Sequence, residues 1–213
     1  QLKKIQHISN LYKIEEQEEL SKFLTKQSCA ESVFFCNSGA EANESAIKLL
    51  KKYGNTAHAD KESFILAAQS SFHGRTLATL SATGQPKYQK GFEPMVKGFK
   101  FFKYNDITSV KKIFKELKKN DQKVSGILIE PIQGEGGINV FSNSLLEALS
   151  KLCKKREIAL IFDEVQCGIG RTGKLFHYLW SNIKPDIITS AKGLGGGYPL
   201  SACVTNEYYG SCM

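Results

Sequence analysis

The sequence predicts an α/β fold, in which a mainly parallel sheet has helices on both faces. Apolar runs of strand length alternate with segments of helical periodicity, and the strand-length runs are almost continuously apolar. Continuously apolar strands are typical of a parallel sheet that is covered on both sides. Ligands of such sheets gather at the carboxyl ends of the strands, so the residues that follow each strand are the first candidates for function.

The predicted strands are six apolar runs, at residues 32–36, 63–68, 99–104, 124–129, 158–162 and 187–190. Two of the segments between them have an apolar helical face, formed by Val110, Ile113, Phe114 and Leu117 in one and by Leu145, Leu146, Leu149, Leu152 and Cys153 in the other. Lysines occupy the opposite side of both segments. We therefore expect helices that pack on the sheet and expose their charged faces.

Composition limits the classes of function. The 213 residues, 41% of them hydrophobic, predict one substantial domain, and no apolar stretch approaches the roughly 18 residues of a membrane span. The net charge of +8 comes mostly from lysines at helical spacing, so we expect no nucleic-acid partner. Six scattered cysteines without a CxxC pair indicate a reducing cytoplasm, and the four histidines have no metal-ligand spacing, so we expect no metal.

The first strand runs through a turn into an Ala-rich helix. Free backbone N–H groups at Gly39 and Ala40, the Ser38 hydroxyl and the positive end of the helix dipole would together bind a phosphate. Asn-Ser-Gly is also an ordinary turn and helix cap, and this alternative stays open.

An acidic residue follows a later buried strand. Asp163 would pair with the protonated nitrogen of a pyridine ring, if one lay beside it, and the ring would then draw electrons from a substrate carbanion. The alternative is an Asp that caps the loop after the strand.

One lysine differs from the surface lysines. Lys192 leaves the strand 187–190 and enters a glycine-rich turn among apolar and small residues. Desolvation in a pocket would favour its neutral amine, which can form an imine and then transfer a proton. A phosphate loop is the rival interpretation, but the glycines fit neither GxGxxG nor GxxxxGK[ST].

Two more loops offer candidate contacts. Phe72 would cover an aromatic cofactor and Arg75 would bind a carboxylate through both nitrogens, whereas core packing and a structural ion pair are the alternatives. Glu130 and Glu135 lie on a Gly-rich loop, where substrate contact competes with simple solvation.

Taken in this order, the motifs resemble those of the class III pyridoxal-phosphate aminotransferases, which have the fold-type I major domain. The motifs are Asn37-Ser38-Gly39-Ala40-Glu41-Ala42-Asn43, Phe72-His73-Gly74-Arg75-Thr76, Glu130-Pro131-Ile132-Gln133-Gly134-Glu135-Gly136-Gly137, Asp163-Glu164-Val165-Gln166 and Ser190-Ala191-Lys192-Gly193. Within the class, Gly84-Gln85-Pro86-Lys87-Tyr88 and the segment 167–173 are most similar to the members that act on N-acetylornithine in arginine biosynthesis.

The resemblance implies a role for each site residue. Lys192 would form the Schiff base with pyridoxal 5'-phosphate, Asp163 would pair with the ring nitrogen and Gln166 would donate to the phenolic oxygen. Val165 and Phe72 would cover the two ring faces, while Ser38, Gly39 and Ala40 hold the phosphate. Arg75 would bind the substrate α-carboxylate, with Glu130 and Glu135 also near the substrate.

It also implies a reaction and a domain organisation. The δ-amino group of N-acetylornithine would pass to 2-oxoglutarate in a cytoplasmic homodimer. Other ω-amines (ornithine, succinylornithine or 4-aminobutyrate), a different pyridoxal reaction and an inactive cofactor-binding fragment are the alternatives. Residues 1–213 would form the cofactor-binding major domain, and we expect the N-terminal segment and the C-terminal domain of the class to be lacking.

Overall fold

The computed structural model describes residues 3, 8, 9, 11–57 and 61–212, and these residues form a seven-stranded sheet between two layers of helices. The strands of the sheet are β1 (Ser32–Cys36), β2 (Ser63–Ala68), β3 (Phe99–Phe102), β4 (Lys123–Ile129), β7 (Ala159–Asp163), β8 (Ile187–Ser190) and β9 (Ser201–Thr205), and a separate two-stranded ribbon consists of β5 (Ile132–Gln133) and β6 (Asn139–Val140). The helices are α1 (Glu15–Lys26), α2 (Gly39–Ala57), α3 (Leu77–Ala82), α4 (Pro86–Gln89), α5 (Ile107–Lys119), α6 (Asn143–Arg156) and α7 (Glu207–Gly210), with short 3-10 turns at His177–Trp180 and Lys192–Gly195.

The sheet has the order β1-β9-β8-β7-β4-β2-β3. Neighbouring strands from β8 to β3 are parallel, whereas β9 runs antiparallel to both β1 and β8. The prediction of a mainly parallel sheet is therefore confirmed, and all six predicted strands are present. The seventh, β9, was not predicted, because its Ser-Ala-Cys-Val-Thr sequence is short and mixes small and polar residues.

Helices cover both faces, as predicted. On one face α2 contributes Ile47, Leu50 and Tyr53 to a core shared with alternate strand residues. On the other face α1, α5 and α6 pack through a second set that includes Val110 and Leu149. The predicted apolar faces of α5 and α6 are buried, apart from the half-buried Phe114 and Leu152.

The α5 helix shows how the local sequence sets its bounds. The Asp106 carboxylate accepts hydrogen bonds from the N–H groups of Thr108 and Ser109, which caps the amino end, and two lysines follow in the last turn. In the described part of the chain, no helix has the length and apolar character that crossing a membrane would need.

Candidate active site

One cavity of about 500 Å³ opens where several strands end. It is lined by all eleven residues that the sequence singled out: Ser38, Gly39, Ala40, Phe72, Arg75, Glu130, Glu135, Asp163, Val165, Gln166 and Lys192. These residues are up to 154 positions apart in the chain, and only the parallel topology brings them together. Their shared position is thus a structural finding, while the role of each stays a prediction.

The amino end of α2 forms one wall of the cavity. The Ser38 hydroxyl accepts from the N–H of Glu41 at 3.2 Å, and the Glu41 carboxylate accepts from the N–H of Ser38 at 3.0 Å. This reciprocal pair is a capping box, so the helix-cap interpretation of Ser38 is correct. The cap leaves the N–H groups of Gly39 and Ala40 without a partner among the described residues, and these two donors point out of the helix end as an anion requires.

Asp163 ends β7 and is buried beneath the cavity. Its Oδ2 atom lies 2.7 Å from Asn43 Nδ2 and 2.8 Å from His73 Nδ1, and Oδ1 accepts from the Val165 N–H at 3.1 Å. A carboxylate offers about four acceptor positions, so one position, on Oδ1, remains for a donor in the cavity. The loop-capping alternative is also realised, through the bond to Val165.

Lys192 follows β8, as predicted, but its side chain is exposed. The prediction that apolar neighbours desolvate Lys192 is therefore wrong. Ala191 and Leu194 turn towards the core and leave the lysine at the cavity surface. Its backbone has a φ of 47°, in the left-handed region that non-glycine residues rarely adopt.

Phe72 and Arg75 stand on the same loop. Phe72 is half-buried and packs edge-to-face on Tyr88, with ring centroids 5.5 Å apart. Arg75 is exposed at the cavity and makes no ion pair with any described residue. Its guanidinium is thus available to bind a carboxylate of a ligand. A structural ion pair, the alternative interpretation of Arg75, would have prevented this.

The two glutamates of the Gly-rich loop, Glu130 and Glu135, differ in burial and in hydrogen bonding. Glu130 is buried, and its carboxylate accepts from the Phe72 N–H at 2.8 Å and from the Gly134 N–H at 3.3 Å. Burial raises the pKa of Glu130 to about 7, with His73 acting in the opposite direction and Asp163 in the same one. Glu130 therefore braces the two loops of the cavity, whereas Glu135 is exposed and free to meet a ligand.

Close backbone approaches shape the cavity walls. A Cβ atom on Gly39 would lie 2.7 Å from Val165 Cγ1, and one on Gly134 would lie 2.9 Å from Gln166 Cγ. Both contacts are far below van der Waals distance, so glycine is needed for α2 and the 134 loop to approach the 165–166 segment. The side chains of Val165 and Gln166 are positioned by these contacts.

The sequence patterns did not indicate a role for several other residues that line the cavity, among them Asn43, His73, Tyr198 and Leu200. Asn43 was detectable, because it is the one polar position on the buried stripe of α2 between Ala42 and Ala46. Among the described residues, no cluster of three metal-ligating side chains was found.

The arrangement provides four chemical functions in one cavity: two N–H donors for an anion, one carboxylate acceptor for a charged donor, apolar side chains for a flat ring, and a primary amine. A ligand that combines an anion, a nitrogen-containing ring and a reactive carbonyl would use all of them. The unused acceptor position of Asp163 and the unpaired N–H groups of Gly39 and Ala40 are the observations that favour such a ligand.

Comparison with known proteins gives consistent matches. The family model described as aminotransferase class-III matches residues 1–212. The acetylornithine aminotransferase of Prochlorococcus marinus subsp. pastoris (strain CCMP1986 / NIES-2087 / MED4) is 73% identical over 97% of this chain and 50% of its own length. The chain thus spans about half the length of the curated relatives that it matches.

Solved structures of aminotransferases are also similar to this chain. N-acetylornithine aminotransferase from Stenotrophomonas maltophilia K279a is 32% identical with a TM-score of 0.80, over 99% of this chain and 51% of that one. An ornithine aminotransferase from Toxoplasma gondii, described with partial occupancy of PLP at its active site, is 27% identical with a TM-score of 0.89, over 99% of this chain and 50% of that one.

Proposed function

Because the chain belongs to the class-III aminotransferase family, we propose that it forms the cofactor-binding part of a pyridoxal-phosphate-dependent acetylornithine aminotransferase. The observation that carries the proposal is the meeting of Lys192, Asp163 and the free N–H groups of Gly39 and Ala40 in one cavity. Curated relatives at 50–73% identity with the name acetylornithine aminotransferase favour this substrate over other ω-amines.

The residues of the cavity fit pyridoxal phosphate. The Gly39 and Ala40 N–H groups would bind the phosphate, and the remaining acceptor position of Asp163 would hold a proton on the ring nitrogen. Val165 and Phe72 would lie against the ring, Gln166 would donate to the phenolic oxygen, and the exposed amine of Lys192 would attach covalently. When bound, the cofactor supplies the carbonyl that condenses with amines and the ring that withdraws electrons.

The chain's own residues would then orient the substrate and move protons. The unpaired Arg75 guanidinium would bind the α-carboxylate of N-acetylornithine and place its δ-amine near the amine of Lys192. Lys192 Nζ, once released, would take the proton from the substrate carbon that bears the amino group and pass it to the cofactor carbon that held the carbonyl. The second substrate would be 2-oxoglutarate, which takes up the amino group as glutamate.

The working protein would be a cytoplasmic homodimer. All six cysteines are free in the structure, which fits a reducing compartment. Exposed apolar side chains, among them Leu77, Phe92 and the cavity-lining Tyr198, offer a surface for a second copy. Sedimentation of a version carrying the flanking segments of the 73%-identical relative should show a dimer that dissociates more readily when Phe92 is replaced by Asp.

The decisive experiment concerns Lys192. The chain is incubated with pyridoxal phosphate and reduced with borohydride, and the labelled peptide is identified by mass spectrometry. We expect the label on Lys192, its loss in Lys192→Ala, and no change in Lys151→Ala, which removes an exposed lysine on α6. Label spread over surface lysines in both variants would contradict the proposal.

A second assay tests the substrate. The version with the relative's flanking segments is given 2-oxoglutarate and, in turn, N-acetylornithine, N-succinylornithine, ornithine and 4-aminobutyrate. We expect the highest kcat/KM for N-acetylornithine. A preference for another amine would support the proposed aminotransferase activity and contradict N-acetylornithine as its substrate.

A further inference from the structure

Four buried polar side chains form a connected network beneath the cavity. They are Asn43 from α2, His73 from the loop after β2, Asp163 at the end of β7 and Thr189 from β8, and each is at most 3% exposed. They come from four separate segments, and no simple packing requirement calls for so many polar groups at this depth. Burying polar groups is costly unless they are hydrogen-bonded, so the geometry of this network is informative.

The Asn43 amide is the centre of the network. Its Nδ2 group donates both hydrogens, to Asp163 Oδ2 at 2.7 Å and to the His73 carbonyl at 2.8 Å. Its Oδ1 atom accepts from the Thr189 hydroxyl at 2.7 Å. Because the Asp163 carboxylate and the His73 carbonyl only accept, the NH2 side of the amide must face them, and the Thr189 hydroxyl donates to the oxygen side.

The network determines how Asp163 presents its charge. Asn43 and His73 occupy both acceptor positions of Oδ2, and the Val165 N–H occupies one position of Oδ1. Since a carboxylate only accepts, His73 Nδ1 carries the hydrogen, and its buried Nε2 has no partner among the described residues. Three donors hold the carboxylate in place and leave a single acceptor position, on Oδ1, towards the cavity.

We propose that Thr189 is a positioning residue for Asp163 and acts on it through the Asn43 amide. The proposal rests on the proposed function, because the group that Asp163 faces is the ring nitrogen of pyridoxal phosphate. Without the hydroxyl, the Asn43 oxygen is buried and unsatisfied, and the amide is held less firmly against Asp163. The hydrogen bond from Asn43 to the carboxylate then weakens, and the proton shared with the ring nitrogen moves towards Asp163 Oδ1.

The variants separate the hydroxyl from the bulk of the side chain. Thr189→Val removes the hydroxyl at constant shape, and Thr189→Ser keeps the hydroxyl. Thr205→Val is the matched control, because Thr205 is a buried threonine of β9 whose hydroxyl, within the described part of the chain, donates to the carbonyls of Asp186 and Asn206, both at 3.3 Å.

Three measurements follow the effect from the network to the cofactor. The imidazole 1H–15N signals of His73 in the chain without cofactor report on Asp163 directly. Equilibrium dialysis gives the affinity for pyridoxal phosphate, and the 15N shift of ring-labelled pyridoxal phosphate reports the protonation of its nitrogen. Only the last two require that the proposed function is correct.

We expect Thr189→Val to shift the His73 signals, to move the ring nitrogen signal towards its neutral position and to weaken cofactor binding about tenfold, the effect of a lost hydrogen bond to a charged group. Thr189→Ser should resemble the parent chain, and Thr205→Val should change stability alone. Because the effect passes through the amide, Asn43→Ala should shift the same signals, and adding Thr189→Val to it should cause no further shift.

Unchanged His73 signals in Thr189→Val would overturn the proposal, as would full additivity with Asn43→Ala. If Thr189→Val does not fold, Thr189→Ala is compared with Thr189→Ser by the same criteria. A parent chain that binds no pyridoxal phosphate, but whose His73 signals respond to Thr189→Val, would refute the proposed function and leave the link from Thr189 to Asp163 supported.

Discussion

Single residues at the cavity are held in ways that cost stability. Lys192 has a φ of 47° although it is not glycine, and Asp163 is an ionisable group buried among polar side chains. Left-handed backbone and buried charge are both unfavourable unless the surroundings enforce them. Here the 3-10 turn after β8 enforces the left-handed backbone of Lys192, and hydrogen bonds from Asn43 and His73 compensate the burial of Asp163. Both unfavourable features therefore lie at residues that the proposed function uses.

The backbone cost at Lys192 can be measured without any cofactor. Lys192→Gly should have a higher free energy of unfolding than Lys192→Ala, by about 1 kcal/mol, because glycine adopts positive φ without strain. Urea denaturation of the two variants gives the difference. The control pair Lys151→Gly and Lys151→Ala lies inside α6 and should show the opposite order, since glycine is a poor helix former. The same order at both positions would contradict the strained conformation.

A second residue-scale prediction concerns the unpaired guanidinium of Arg75. Arg75→Lys should raise KM for N-acetylornithine about tenfold or more and leave KM for an amine without an α-carboxylate nearly unchanged, because lysine cannot form the two parallel hydrogen bonds. The comparison is made by steady-state kinetics on the version with the relative's flanking segments. Equal increases for both amines would mean that Arg75 does not contact the carboxylate.

At the scale of elements, the sequence predicted the parts that depend on local pattern. The six parallel strands, the helix faces and the turns that follow the strands all have periodic or motif signals, and each was found. The strand β9 has no such signal, because it is defined by pairing with β1 and β8. The link between Asn43 and Thr189 spans 146 positions and follows from strand order alone.

The sequence also could not predict which glutamates are buried and hold neighbouring segments by hydrogen bonds. Glu130 and Glu164 both follow a strand, as solvated loop residues often do, yet both are buried and accept hydrogen bonds from the backbone of another segment. Glu130 holds the Phe72 loop. Glu164 holds the 3-10 turn His177–Trp180 through the N–H groups of His177 and Tyr178.

The burial of Glu164 predicts a pH dependence of stability. Burial raises the pKa of Glu164 from its ordinary 4.5 to about 7, against the opposing effect of the Tyr178 and His177 N–H groups. The folded state then binds the proton more tightly than the unfolded state between these values. This contribution to stability is therefore complete below pH 4.5 and is lost as the pH rises through 7, by roughly 3 kcal/mol.

Glu164→Gln tests it, because the amide does not titrate. The free energy of unfolding, measured by urea denaturation from pH 4.5 to 8, should decrease less steeply with pH in this variant than in the parent chain. Glu147→Gln, which removes an exposed carboxylate on α6, should leave the slope unchanged. Glu130, whose pKa burial also raises to about 7, accounts for a remaining slope, whereas an unchanged slope in Glu164→Gln would contradict the assignment to Glu164.

At the scale of the whole molecule, the described residues form a seven-stranded sheet and an open cavity. Large apolar side chains remain exposed, including Phe34 at 53%, Leu77 at 63% and Phe92 at 60%. The relatives that the chain matches are about twice its length. Apolar surface of this kind normally faces another segment or another subunit.

We therefore expect that flanking segments from the 73%-identical relative change the behaviour of the chain. The longer version should bind pyridoxal phosphate at least tenfold more tightly, because segments that cover the cavity add contacts and exclude water from the Lys192 amine. It should also bind less of a fluorescent dye for apolar surfaces, since Phe34, Leu77 and Phe92 would be covered. Both versions are compared by equilibrium dialysis and dye fluorescence at matched concentration, with a Lys192→Ala form of each as the control for covalent attachment. Equal cofactor affinity and equal dye binding in the two versions would show that the 213-residue chain supplies every contact that the cofactor needs.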